Sequence, residues 1–207
     1  MRLPIRPLAL VILLTLFGCV SAIATPNKTE TYQAAEQGQA DAQYRLGLMY
    51  EDHLGVPQDY QQAYAWFLKA AEQGQADAQY RLGLMYENNL GVRRDYQQAV
   101  AWYRKAAEQG KVKAQYALGR MYMFGRGVPQ DYRQVVTWLR KAAEQGDGTL
   151  QYVLGEMYAE GRGGPQDDKK AVVWYRKAAE QGEANAQYLL GAMLADGRGV
   201  PQDYQQA

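Results

Sequence analysis

Apolar positions recur along the chain with two superimposed periods, a short one of helical spacing and a long one of 36 residues. In one stretch Ala42, Leu46, Met49 and Tyr50 fall at offsets of 0, 4, 7 and 8. That spacing gathers them on one face of an α-helix. Ala63, Trp66, Phe67, Ala70 and Ala71 repeat it in a second stretch. The pattern predicts two helices per unit, A and then B. Asp59 with Gln62 three residues on reads as a capping box at the start of B, and Gly74 reads as its stop.

Laid on itself at a spacing of 36, the chain aligns Ala42, Ala78, Ala114, Leu150 and Ala186 without an insertion. Tyr44, Tyr80, Tyr116, Tyr152 and Tyr188 line up, as do Gly47, Gly83, Gly119, Gly155 and Gly191. So do Trp66, Trp102, Trp138 and Trp174, each followed by an Ala-Ala-Glu-Gln-Gly run. The count is four full units and two partial ones. An aligned Gly inside helix A would cost about 1 kcal/mol against Ala, which predicts close approach of a neighbouring helix there. One Trp per unit, removing about 150 to 250 Å² from water when buried, is the expected anchor between units.

Gly125-Arg126-Gly127, Gly161-Arg162-Gly163 and Gly197-Arg198-Gly199 form the turns between A and B, with the glycines expected at positive φ. In the first two units the leading Gly is replaced by His53 and Asn89, residue types that tolerate the left-handed region. That accounts for the chain's only His without a catalytic or metal role. The arginines of these turns make a ladder that can meet acidic polymer or lipid headgroups, against the plainer reading of solvated turn residues.

The first residues read as export grammar. Arg2 and Arg6 precede an apolar stretch from Leu8 to Phe17, and Ala22-Ile23-Ala24 supplies a small-x-small cleavage site, which sets residues 1–24 apart from the fold. Three fates stay open: cleavage after Ala24, lipid attachment at Cys19 within Leu16-Phe17-Gly18-Cys19, or an uncleaved anchor. The reading gives 25–38 as a partial unit and 39–207 as repeats. Ala207 aligns with Ala63, so the pattern breaks off inside a helix B, as in a truncated frame.

Removal of Arg2 and Arg6 leaves 21 basic against 22 acidic residues. A near-neutral chain lacks the basic footprint of a nucleic-acid binder.

The units, with Ala42-x-x-x-Leu46-Gly47-x-Met49-Tyr50, then Gly-x-Gly-Val-Pro-Gln-Asp, then Ala63-x-x-Trp66-x-x-x-Ala70-Ala71-Glu72-Gln73-Gly74, closely resemble the Sel1-like repeat family, relatives of tetratricopeptide solenoids. The resemblance implies an all-α fold, a right-handed superhelix of helix-turn-helix repeats with A helices on the concave side. It also implies an adaptor role in envelope assemblies, signalling or host contact. Some relatives staple each unit with a disulfide; here Cys19 is the only Cys, so packing alone must hold the units.

Reactive chemistry is scarce. Ser21 lies in the leader and is the only Ser, and no thiol remains in the repeats, which excludes Ser/His and Cys/His hydrolase arrangements on inventory. One His makes a zinc site a poor reading. The Gly-Arg-Gly turns follow a helix, not a strand, so no phosphate-cradling loop is read. Asp59, Asp95, Asp131 and Asp203 recur in register as helix caps, not as a catalytic pair. No cofactor, metal or catalytic residue is expected, and membrane contact only through a lipid at Cys19.

Positions that differ between units are free to specify a ligand. On helix A these form a stripe: Asp41, Arg45 and Leu48; Asp77, Arg81, Leu84 and Asn88; Lys113, Arg120 and Phe124; Val153, Glu156 and Glu160; and Leu189. The stripe is expected to look away from the Ala/Leu/Met face into the concave groove and to take a protein or peptide partner, bordered by the Tyr44 series. The plain alternative is unconstrained surface, with packing between repeats for the tyrosines. A scaffold exported to the bacterial envelope or secreted is the leading expectation, and a binder or hydrolase of peptidoglycan the second.

Overall fold

The computed structural model describes residues 28–200, and among these every regular element is a helix. The ten helices are α1 (Lys28–Glu36), α2 (Ala40–Glu51), α3 (Tyr60–Glu72), α4 (Ala76–Asn88), α5 (Tyr96–Glu108), α6 (Val112–Phe124), α7 (Tyr132–Ala143), α8 (Gly148–Glu160), α9 (Asp168–Glu180) and α10 (Ala184–Asp196). Helix α1 is the B helix of the partial first unit. Even-numbered helices are A, and the later odd-numbered ones are B. Each helix packs on its sequence neighbours, so the core runs along the stack as a chain of clusters. The leader, Cys19, Ala24, Asp203 and Ala207 lie outside the described residues.

The B helices start as the sequence predicts, with one difference. The side chains of Asp59, Asp95 and Asp131 each accept from two backbone N–H groups of the first turn, and Asp167, in the same register, accepts from Lys170. Yet Asp59 N–H donates to the Tyr50 carbonyl at 3.0 Å, so the reciprocal half of the expected capping box, from Gln62, is replaced by a bond back to helix A. The same bond joins Asp95 to Tyr86 and Asp131 to Tyr122. It fixes the angle at which B turns back on A.

His53 and Asn89 stand at φ of 58° and 61°, matching Gly125 and Gly161 in the same register at 63° and 69°. Both also close the turn: His53 Nδ1 accepts from Gln58 N–H and Asn89 Oδ1 from Arg94 N–H, each at 3.1 Å. Two residues on, the second turn glycine serves a different end. A Cβ on Gly127 would stand 2.2 Å from the Tyr96 carbonyl oxygen, and one on Gly91 would meet that of Tyr60 at the same distance. From the second unit on, the turn thus rests directly on the start of the preceding B helix.

The close approach expected at the helix A glycines is made by a ring, not by helix backbone. Phe67 lies flat against Gly47, where a Cβ would sit 2.5 Å from two ring carbons; Tyr103 and Tyr175 do the same at Gly83 and Gly155. Leu139 replaces the ring over Gly119 and leaves ordinary contact distance there. These residues are each more deeply buried than the Trp of the same unit. The expectation that every Trp is a buried anchor is corrected accordingly: Trp138 and Trp174 are buried, whereas Trp66 and Trp102 are half-buried. Each Trp packs onto the cluster that the preceding B helix forms with the A helix of the Trp's own unit. Its outer face carries the Lys three residues on, at 4.0 to 4.4 Å from the ring centre, a cation–π contact that uses the exposed side of a joint residue.

A polar ladder also runs through the stack. Gln43, Gln79, Gln115 and Gln151 are buried on the A helices. Each donates to a carbonyl near the end of the preceding B helix, namely Ala35, Ala71, Ala107 and Ala143, all at 3.1 Å. Each accepts in turn from the Gln of its own unit's Ala-Ala-Glu-Gln-Gly run: Gln73, Gln109, Gln145 and Gln181, at 2.7 to 3.0 Å. Buried amides are costly unless satisfied. Here both ends of every amide are used, and the bonds fix how one hairpin sits on the next.

Candidate partner-binding surface

The predicted stripe divides into three sets. Asp41, Arg45, Asn88, Lys113, Phe124 and Glu160 are exposed. Leu48, Leu84, Val153 and Leu189 are half-buried and pack against the core clusters, and Ala117, which takes the place of Arg45 in its unit, is buried. The remaining members, Asp77, Arg81, Arg120 and Glu156, are half-buried in polar contacts. A stripe facing solvent throughout is therefore not what forms. Stacking brings the flank of one A helix against the next and covers part of it.

Those polar contacts join successive A helices. Arg81 on α4 pairs with Glu51 on α2 at 2.9 Å, and Arg120 on α6 pairs with Glu87 on α4 at 3.0 Å. Lys111, just ahead of α6, pairs with Asp77. Glu51 and Glu87 are 8% and 7% exposed, so the sequence-predicted arginines are held by buried carboxylates that the stripe did not include. Burial raises the pKa of Glu51, and Arg81 opposes the shift. Glu87 also accepts from the Tyr103 hydroxyl at 2.7 Å. Burial, then this bond to a carboxylate, pushes the Tyr103 phenol well up. In the later units Met123 and Ala159 stand in the place of these acids, and Glu156 instead accepts from Tyr152 at 2.6 Å.

The tyrosines bordering the stripe pack within a unit. Tyr44 lies against Phe67, Tyr80 against Tyr103 and Tyr152 against Tyr175, with ring centres 5.8 to 6.1 Å apart. Tyr116 and Tyr188 are exposed. On α6, Tyr116 and Phe124 lie two turns apart, 41% and 58% exposed, and leave aromatic surface uncovered on the A side.

Along the turns the three arginines differ. Arg198 holds Asp168 through two nitrogens, at 2.8 and 3.2 Å, which lowers the Asp168 pKa. Arg162 pairs with Glu160. Arg126 reaches only Glu87, at 3.7 Å, on the oxygen that Arg120 already occupies. No group of three or more His, Cys, Asp and Glu side chains that could hold a metal ion occurs among the described residues. Among them, too, no helix is long and apolar enough to cross a membrane.

The Sel1 repeat pattern matches residues 40–75, 76–111, 112–147, 150–183 and 184–207. The chain belongs to the Sel1 repeat family. Its fold class is that of the family, a solenoid of helix-turn-helix repeats. A protective antigen present in uropathogenic Escherichia coli strains, displaying an SLR fold, superposes with a TM-score of 0.79 at 44% identity. That match covers 86% of this chain and 38% of the antigen, so this chain spans well under half the antigen's length. A Sel1 repeat protein from Oxalobacter formigenes superposes with a TM-score of 0.74 at 37% identity, over 84% of this chain and 77% of that one. No curated protein matches the sequence. Sel1 repeat proteins generally mediate protein–protein interaction, and their solenoid is typically a non-catalytic scaffold.

Proposed function

We propose that this Sel1 repeat protein is a non-enzymatic scaffold, exported to the bacterial envelope or secreted, that takes a protein partner along its A-helix side. The observation that carries the reading is the pair Tyr116 and Phe124 on α6, large aromatic side chains left exposed on an otherwise repeated frame. Aromatic residues that stay uncovered beside charged ones are the usual anchors of interfaces. Two further facts support it. The export grammar of residues 1–24 supplies a route out of the cytoplasm, and the similar E. coli protein is a protective antigen.

The test is affinity capture from native envelope and medium fractions, followed by identification of what is retained. Arg81 and Arg120 hold buried carboxylates, so replacing them disturbs folding together with binding. The discriminating variant combines Lys113→Glu, Tyr116→Ser and Phe124→Ser, all at exposed positions. Loss of a protein captured by the wild type supports the reading; capture unchanged by the triple variant overturns it.

A further inference from the structure

Among the three turn arginines, Arg126 alone lacks a carboxylate of its own. Arg162 has Glu160 and Arg198 has Asp168. Arg126 shares Glu87, whose Oε1 accepts from Arg120 at 3.0 Å and whose Oε2 accepts from Tyr103 at 2.7 Å. Both oxygens of that buried carboxylate are in use before Arg126 arrives, and its guanidinium stands at 3.7 Å, beyond hydrogen-bond reach. Two guanidinium charges therefore face one carboxylate, which leaves a surplus of one positive charge at this point of the surface.

The surplus charge is held in place. The Arg126 guanidinium lies 5.3 Å from the Phe124 ring centre and 5.8 Å from that of Tyr96, between two aromatic rings, with 44% of its side chain open to solvent. Arg94 lies 6.0 Å from the centre of the same Tyr96 ring. A planar guanidinium stacked on rings keeps its edge free to bind a carboxylate through two parallel N–H groups. Phe124, 58% exposed, offers an apolar surface beside it. An extended peptide advances about 3.3 Å per residue, so an acid and an apolar side chain within two residues of each other span the gap between Arg126 and Phe124.

We infer that Arg126, backed by Arg120 and flanked by Phe124, is the docking point for an acidic side chain with an aromatic or aliphatic neighbour, carried on an extended segment of a protein partner. This deepens the proposed function and rests on it. It commits to the chemistry of the segment: a side-chain carboxylate, an adjacent apolar group, and attraction that fades with salt.

The test is selection of phage-displayed dodecapeptides on the full chain. The wild type is expected to enrich peptides that place Asp or Glu within two residues of Phe, Tyr, Trp or Leu. A capped synthetic version of the most enriched peptide is expected to lose at least tenfold in affinity with Arg126→Gln or Phe124→Ser, and to keep its affinity with Arg162→Gln, since that arginine is already neutralised. Replacing the peptide's acids by Asn or Gln is expected to have the same effect as Arg126→Gln. Thermal melts of the variants check that the fold is kept, which the exposure of Arg126 and Phe124 leads one to expect. Enrichment of peptides without acids, no enrichment at all, or equal binding by Arg126→Gln and wild type would each overturn the inference. So would self-association of the chain that disappears with Arg126→Gln, because the occupant would then be a second copy. Protein capture that survives any of these results leaves the proposed function standing, so the two fail separately.

Discussion

Tyr103 donates its phenolic hydrogen to the buried carboxylate of Glu87, 2.7 Å away, while Phe67, its counterpart one unit earlier, offers nothing to the equally buried Glu51. The two rings sit on Gly83 and Gly47 at distances that agree within 0.1 Å, so a hydroxyl added at the para carbon of Phe67 is expected to take the place toward Glu51 that the Tyr103 hydroxyl takes toward Glu87. One oxygen of Glu51 is buried without a hydrogen bond; Arg81 supplies charge at 2.9 Å but no donor in line.

Phe67→Tyr is accordingly expected to stabilise the fold. A new bond to a charged group contributes about 1 to 2 kcal/mol, and the reverse change, Tyr103→Phe, costs about 1 to 3 kcal/mol by stranding Glu87. Urea denaturation of both variants checks the pair. Destabilisation by Phe67→Tyr would show that the two units differ more than their rings do.

The same carboxylate gives a pH dependence. Burial raises the Glu51 pKa above its ordinary 4.5, so in this interval the folded state binds a proton that the unfolded chain releases. The contribution of Glu51 to stability is therefore full below 4.5 and is lost as pH rises through the raised value. Glu51→Gln, which cannot ionise, is expected to gain on wild type in stability by a margin that widens from pH 4 to pH 7. A margin that stays flat across that range would remove the assignment.

Two glycines in one register should respond in opposite directions to Ala. At Gly83 the added Cβ would stand 2.4 Å from the Tyr103 ring, which has no room to retreat in the core, so overpacking costs about 1 to 3 kcal/mol. At Gly119 it would meet Leu139 at 3.6 Å, an ordinary contact, and the helix gains about 0.5 to 1 kcal/mol from the loss of Gly. Thermal melts of the two single variants decide the matter.

The tryptophans follow burial, not sequence position. Trp138→Ala, at a site 8% exposed, is expected to cost about 3 to 5 kcal/mol, as core Trp truncations do. The half-buried Trp102 is expected to cost about 2 to 3 kcal/mol, less of its area being withdrawn from water. Equal losses in chemical denaturation would mean that the exposed face of Trp102, stacked under Lys105 at 4.0 Å, counts for as much as burial.

Periodicity made the helices, their turns and their caps readable, because those features depend on residue types that recur every 36 positions. Positive φ at His53 and Asn89 followed from the glycines in their register. The surface was harder to read. Variation between units marked Arg81 and Arg120 as free, yet both are bound to Glu51 and Glu87, acids that themselves vary and so gave no periodic signal. Helical spacing places a residue on a face but says nothing about the neighbouring hairpin that comes to cover it. The Trp alignment misled in a similar way: an identical residue at every joint marks a contact, and only the packing shows how much of it is withdrawn from water.

At each junction of the glutamine ladder the incoming hairpin brings the same donor, and the outgoing one leaves the same carbonyl. Whole hairpins are in this sense interchangeable parts. Gain or loss of 36 residues regenerates the same seam, whereas gain or loss of a single residue puts the amides out of register at the junction where it falls. Residues 39–51 recur unchanged at 75–87, as expected of a gene that lengthens by copying entire modules and so alters its reach without redesigning its interior.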